Sequence, residues 1–330
     1  MESWAAGPTI VRDSIGVSTT WTKDNSPYVI QNDISIAKGA VLTIDPGVEV
    51  QFVASTEGKV GGGPNLVIQG GLKAVGNSTT PISFGPSVTG SLWGAIFFSG
   101  SDPANSVMQM CMVKGGRIVC NNASPTITQC AIFGMKSGVE VYVNSQPQIT
   151  NNRITADGIG IALESDTSSP VITNNDIYNN TYGLFFKDFG TPTISGNRIY
   201  NNLKYNVVNY SAKGVSLPNN DFHQTDPALI ARTIYDKTFN IQLGKVDFVP
   251  FAGMPAGAQA AAPQTQAAPQ TQVSALEKPQ IDESDLWGYG RPFDALKISK
   301  LESQKKESSG MVKTLAVGAT AVVTAVLLFF

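Results

Sequence analysis

The side chains best suited to chemistry in this chain are few, and their spacing is regular. Thr155, Tyr178, Tyr200 and His223 follow one another at intervals of 23, 22 and 23 residues. If equal intervals mean equal places on successive turns of a repeat, they form an outward column of rings. Such a column is either cross-strand stabilisation or a platform for a sugar, so Tyr178, Tyr200 and His223 are the candidate ligand surface. Glu164 and Asp166 stand in the loop ESDTSSP, and Lys187-Asp188 falls in the matching loop one interval later. Glu164, Asp166 and Asp188 are therefore a candidate acidic patch, set against the plainer reading of solvated loops. A third group, Trp287, Tyr289, Arg291 and Phe293, lies within DESDLWGYGRPFDAL, residues 282–296. Aromatic and arginine side chains in an otherwise linker-like setting read as a short docking motif or as contact with a membrane interface.

Composition narrows what these groups can do. The chain is 42% hydrophobic and only 15% charged, against about a quarter charged in typical soluble domains. A net charge of −2 leaves no electrostatic footprint for nucleic acid. The single histidine, His223, excludes His-rich metal sites, and a Ser-His-Asp triad would have to recruit it beside Asp221. Three cysteines (Cys111, Cys120, Cys130) are an odd number at irregular spacing, which fits neither a disulfide framework nor a zinc knuckle. Buried inert thiols are the default, although a Cys120–Cys130 bond is sterically possible. Neither a metal nor a cofactor is expected, and no residue is assigned a catalytic role.

Composition also divides the chain into residues 1–252, 253–310 and 311–330. The second part begins with an Ala/Gln/Pro-rich linker carrying AAPQTQ at 261–266 and again at 267–272. Too poor in large apolar side chains to offset its ordering entropy, it reads as an extended tether. The third part, MVKTLAVGATAVVTAVLLFF, has no charge from Thr314 to Phe330. At about 1.5 Å per residue, twenty helical residues span roughly 30 Å, a bilayer's hydrocarbon thickness. Residues 311–330 are thus expected to be a transmembrane helix, making the membrane a partner. Lys297, Lys300, Lys305, Lys306 and Lys313 precede it. The positive-inside rule then places the large domain in the cytoplasm if Met1 is the native start; a trimmed upstream signal would make it periplasmic or cell-surface.

The elements that must position the candidate residues come from the repeat. SPTITQCAI (124–132), QPQITNNRI (146–154), SPVITNNDI (169–177) and TPTISGNRI (191–199) align, and GVSLPNNDF (214–222) continues them. Their prolines, Pro125, Pro147, Pro170 and Pro192, are 22, 23 and 22 residues apart. That period with Val/Ile/Thr alternation fits one coil of a parallel β-helix with three short strands. Ile127, Ile149, Ile172, Ile194 and Leu217 then form one inward column, and Ile132, Ile154, Ile177, Ile199 and Phe222 another. Cys130, Asn152, Asn175, Asn197 and Asn220 form a stacked amide ladder at a bend, asparagine also tolerating the left-handed backbone that bends require. Outward, Arg153, Asp176, Arg198 and Asp221 alternate in sign, each exposed pair contributing about 0.2–1 kcal/mol. Within YGLFFKDFG, most of Tyr182, Phe185, Phe186 and Phe189 are expected in the core.

The flanks share this grammar. GAVLTIDPGVEVQF (39–52), NLVIQGGLKAVG (65–76), PISF (81–84) and WGAIFF (93–98) alternate in the same way. With them the chain resembles the right-handed parallel β-helix proteins with pectate-lyase-like repeats. The ending NNDFHQTDPALIARTIYDKTFNIQLGKVDFVPF (219–251) looks like the usual close of such domains, with Asp226 and Pro227 starting a short helix over ALIARTIYD. Residues 1–24, with Trp4 or Trp21, are expected to cover the first coil.

The resemblance implies an all-β solenoid of nine or ten coils, roughly 40–50 Å long, and says little about activity. Polysaccharide lyases on this scaffold imply clustered acids holding Ca²⁺ beside an Arg or Lys base. The only acids here that approach this are Glu164, Asp166 and Asp188. The expected function is a membrane-anchored, non-enzymatic scaffold that binds a protein partner or assembles with itself. The alternatives are polysaccharide binding, or lyase or epimerase chemistry.

Overall fold

Short β-branched runs separated by tight bends can bury one face of every run by winding the chain into a stack. The computed structural model describes residues 7–54, 63–133, 136–155 and 158–254. In it the chain winds in this way, laying down three short strands per turn. Wall A holds nine strands, from Thr9–Val11 to Arg198–Tyr200, and wall B nine, from Ile34–Ile36 to Ile234–Tyr235. Wall C holds eight, from Thr19–Trp21 to Thr193–Ser195. Neighbours within a wall are parallel and one turn apart: Ile149 pairs with Ile172, and Ile172 with Ile194. The result is a β-solenoid of about nine turns.

Both inward columns form as the spacing predicts, and their members are buried in one continuous core. Turns near the start are longer, since Val41 pairs with Gly71, thirty positions on. Trp21 closes the first turns, stacked on Tyr28 with centroids 4.5 Å apart, whereas Trp4 lies outside the described residues. At the other end Asp226 caps helix α1 (Pro227–Arg232), its carboxylate accepting from the Ala228 N–H at 2.8 Å. The helix is shorter than the sequence suggests: Ile234–Tyr235 leaves it to become the last strand of wall B. That pairing satisfies backbone groups that would otherwise sit at an open edge.

The asparagine doublets divide the work at the bend between walls C and A. The first residue takes the left-handed backbone: φ is 56° at Asn151 and Asn174, 68° at Gly196 and 59° at Asn219. The second forms the ladder. Asn152 donates from Nδ2 to Asn175 Oδ1 at 3.0 Å, Asn175 to Asn197 at 2.9 Å, and Asn197 to Asn220 at 2.9 Å. Each of these oxygens also accepts the backbone N–H of the residue one turn earlier. Cys130 begins the column, its N–H donating to Asn152 Oδ1 at 2.9 Å. The ladder residues are thus not the left-handed ones, because an amide aimed along the stack requires its own backbone to have already left the turn.

Among the described residues no helix is long and apolar enough to cross a membrane. Residues 255–310 and the apolar segment 311–330 lie outside them.

Candidate functional site

The outward column of wall A is continuous. Tyr178 stacks on Tyr200 with centroids 5.1 Å apart and planes 8° apart, and Tyr200 stacks on His223 at 3.7 Å. The Arg153 guanidinium lies 5.4 Å from the Tyr178 ring centre, and that of Arg198 lies 5.3 Å from that of Tyr200. Arg198 pairs with Asp176 at 3.4 Å and also donates to His223 Nε2 at 3.3 Å, while Asp221 lies 3.6 Å from that nitrogen. Parallel strands in register create this geometry, because each ring sits directly over the next. It also limits what the column can do. A sugar stacks on an open ring face, whereas here Tyr178 and Tyr200 turn their faces to each other and to their neighbours. The column offers solvent mainly ring edges and charged groups.

Of the candidate acidic patch, the fold brings two members to neighbouring places. Glu164 and Asp188 are register neighbours across an irregularity in the pairing of Ile159–Glu164 with Tyr182–Asp188. Each carboxylate has its own cation, Glu164 having Lys187 at 3.2 Å and Asp188 having Lys213 at 3.0 Å. Asp166 stands in the exposed turn beyond them. Among the described residues no three His, Cys, Asp or Glu side chains gather closely enough to hold a metal ion. Trp287, Tyr289, Arg291 and Phe293 lie outside the described residues.

A polar cluster that sequence reasoning missed stands on the outer face of wall B. Glu140 is only 8% exposed although it points away from the core, between Val119 and Ala162. It accepts from Ser137 Oγ, from Tyr142 Oη at 3.1 Å and from Arg117 Nη1 at 3.4 Å. Burial raises the pKa of Glu164, an effect Lys187 opposes. Burial, then the charges of Glu140 and Glu164, raise that of Tyr142. Burial, together with the Arg117 charge, lowers Lys136 to about 8, against the opposing pull of Glu140. Displaced pKa values in a cluster can mark function, and structural ion-pair networks displace them too. Here the Glu140 carboxylate already has three donors, so it orients its neighbours rather than standing ready as a base. The signal was in the sequence: Arg117 and Glu140 are 23 residues apart, the spacing of the repeat itself.

Lys136 gives a pH test. Its pKa is about 8 in the folded chain against 10.5 normally. Between these values the unfolded chain binds more protons, so this residue makes stability rise with pH. Below about pH 8 its charged form is a burden. Lys136→Met should therefore gain on the wild type at pH 7, and the gain should shrink towards pH 10 in paired urea titrations.

The cysteines are free and buried. The possible Cys120–Cys130 bond is absent. Burial pushes the Cys120 thiol up, and Cys111 is raised by its hydrogen bond to Cys130 and by burial. The same hydrogen bond from Cys111 lowers Cys130, and all three thiols belong to the core.

Comparison with known proteins agrees with the architecture. A family model described as a right handed beta helix region matches residues 98–239, and the fold is accordingly a right-handed parallel β-helix. Over 60 residues the chain is 43% identical to Protein bark beetle of Drosophila melanogaster; that stretch is 18% of this chain and 2% of that protein. No solved structure matches the chain.

Proposed function

We propose that this chain is a membrane-tethered, non-enzymatic β-helix scaffold whose rigid walls serve protein partners close to a bilayer. The observation that carries this reading is the pairing of the candidate reactive groups. Glu164, Asp188, Glu140 and Asp176 each face a cation at 3.0–3.4 Å. Charges held in this way keep successive turns in register, because slipping by one turn would stack like signs in wall A. A base or nucleophile needs a group free to exchange its proton with substrate, and a Ca²⁺ site needs several anionic oxygens converging on one point. Lyase or epimerase chemistry is therefore the weaker reading. Polysaccharide binding is weaker as well, since the rings of Tyr178 and Tyr200 already stack on each other. The tether rests on residues 311–330, whose uncharged run from Thr314 and the lysines before it suit a membrane anchor.

The test has two arms. In the first, the full chain should enter the membrane fraction and resist carbonate extraction, while a chain ending at residue 310 should remain in the supernatant. Equal partition of the two would end the tether. In the second, the full chain in detergent is given polyuronates with and without Ca²⁺, and its retention on polysaccharide is compared with that of Tyr200→Ala. No rise in unsaturated-uronate absorbance and no difference in retention are expected. Turnover, or a loss of retention in Tyr200→Ala, would replace the scaffold with an enzyme or a lectin.

A further inference from the structure

The bend between walls C and A carries a second kind of rung. Met110-Cys111 and Gln129-Cys130 occupy the places that Asn151-Asn152 takes on the following turn. Met110 and Gln129 have the left-handed backbone, with φ of 49° and 54°, and each is followed by a cysteine in the ladder position. The column therefore runs Cys111, Cys130, Asn152, Asn175, Asn197, Asn220, thiols first and amides after. Register makes the two cysteines neighbours. Met112 pairs with Ala131 and Val113 with Ile132, so Cys111 and Cys130 face each other one place earlier on adjacent turns. Both belong to the core, and both are 2% exposed.

The thiols also copy the hydrogen bonding of the amides. In an asparagine rung one Oδ1 accepts both the backbone N–H and the side-chain donor of the residue one turn earlier. Cys130 Sγ stands in that place, hydrogen-bonded to the side chain and to the backbone of Cys111. Cys111 Sγ is also held against Ala74 O at 3.4 Å, and Cys130 Sγ against Thr128 O at 3.3 Å. Thiols are weak donors and weak acceptors, so these rungs join their turns less firmly than the amides do. Neighbouring turns lie about 4.8 Å apart, inside the roughly 4.4–6.8 Å between α-carbons that a disulfide spans. Cys120 has no such neighbour, because its partners in register are Phe98 and Val141. We propose that Cys111 and Cys130 are a dithiol–disulfide couple, which hydrogen peroxide converts into a covalent rung between adjacent turns.

Cys130 is the attacking sulfur. The hydrogen bond from Cys111 leads the effects that lower its pKa, against burial, and the same bond together with burial raises Cys111. The Cys130 thiolate attacks one peroxide oxygen, the O–O bond breaks, and the departing hydroxide takes up the proton that the thiol released. Cys130 is then a sulfenic acid. Cys111 Sγ attacks that sulfur and gives up its proton, the S–O bond breaks, and water leaves as the disulfide closes. Two thiols and one peroxide thus become one disulfide and two waters, the sulfurs oxidised and the peroxide oxygens reduced. Peroxide is scarcely larger than water, and the bend outside the pair is formed by half-buried Met110 and exposed Gln129. A small thiol reverses the bond by exchange. The couple tightens the stack where its amide ladder stops. It rests on neither the tether nor the scaffold reading.

The experiment treats the full chain in detergent with hydrogen peroxide, blocks the remaining thiols, and maps an unreduced digest by mass spectrometry. The peptides of Cys111 and Cys130 should be joined within one chain, with Cys120 still a free thiol. A reductant should restore all three thiols. The urea midpoint of the oxidised chain should exceed that of the reduced chain, and Cys111→Ser should abolish the difference. In Cys111→Ser the sulfenic acid has no partner, so after peroxide dimedone should label Cys130 roughly tenfold faster than Cys120. The wild-type map involves no substitution, so it decides the matter even where a serine variant fails to fold. Three unreacted thiols, a bond that includes Cys120, a link between two chains, or a bond that forms only in urea would each overturn the proposal. So would an oxidised chain no more stable than the reduced one.

Discussion

Replacing Asn175 with alanine should destabilise the solenoid by about 3–5 kcal/mol, a large share of the roughly 5–15 kcal/mol by which domains are stable. The amide holds four partners. Its Oδ1 accepts the Asn152 N–H at 2.9 Å and Asn152 Nδ2 at 3.0 Å, and its Nδ2 donates to Ile149 O at 2.8 Å and to Asn197 Oδ1 at 2.9 Å. Alanine leaves the Asn152 N–H and the Ile149 carbonyl without these partners inside the stack, where water does not replace them. Each stranded group costs about 1–3 kcal/mol. The adjacent Asn174 is the control. It is exposed and held at φ 56°, a backbone glycine adopts freely, and the equivalent place one turn later is already Gly196. Asn174→Gly should change stability by less than about 1 kcal/mol. Urea midpoints of the two variants decide it: similar losses would mean that the doublet acts only as a bend and the ladder adds nothing.

Gly160→Ala should be at least as damaging, for a steric reason. A β-carbon on Gly160 would lie 2.6 Å from the Gly183 carbonyl oxygen and 2.8 Å from Ile177 Cγ2. Gly138 and Gly183 stand at the same corner, where added β-carbons would meet Gly160 O at 2.7 Å and Asn206 O at 2.5 Å. The nearest atom in each case is backbone of the next turn, so no rotamer relieves the contact. The strands Ile159–Glu164 and Tyr182–Asp188 would have to separate. Overpacking of this kind costs about 3 kcal/mol or more, and the variant should melt far below the wild type or fail to accumulate folded. Gly85→Ala is the comparison, since the nearest atom to its β-carbon is Lys114 Cβ at 3.9 Å, an ordinary contact. It should stay within about 0.5 kcal/mol. If Gly160→Ala melts with Gly85→Ala, the corner has slack and the glycine column is not a steric requirement.

Much of this architecture is legible without coordinates. Proline and isoleucine spacings of 22 and 23 give the turn, the inward columns and the alternating charges of wall A, because in a stack the same interval returns every residue to the same environment. The capping start at Asp226-Pro227 is equally local. The ladder asparagines were legible as a column, but the assignment of left-handed backbone to the residue before each of them was not. That depends on which of two adjacent amides can reach the next turn. The glycine corner escaped notice because Gly138, Gly160 and Gly183 matter through what lies above them, and glycine is common in bends of every kind. Among the candidate site residues, Tyr178, Tyr200 and His223 fall in one column as their spacing requires. Glu164 and Asp188 become register neighbours, each paired with its own lysine, Lys187 and Lys213.

By itself the sequence determined the winding, the interior and the register, since each follows from a period that every turn repeats. Only the tertiary structure decided what the outward residues are for. Alternation tells whether a side chain points in or out, and wall B shows that out is not the same as exposed: Phe97, Val119 and Phe185 face away from the core and are still buried. Burial of an outward side chain is set by what packs against it across the sequence, and alternation does not report that. Contacts between segments far apart in sequence carry no period, so no repeat announces them.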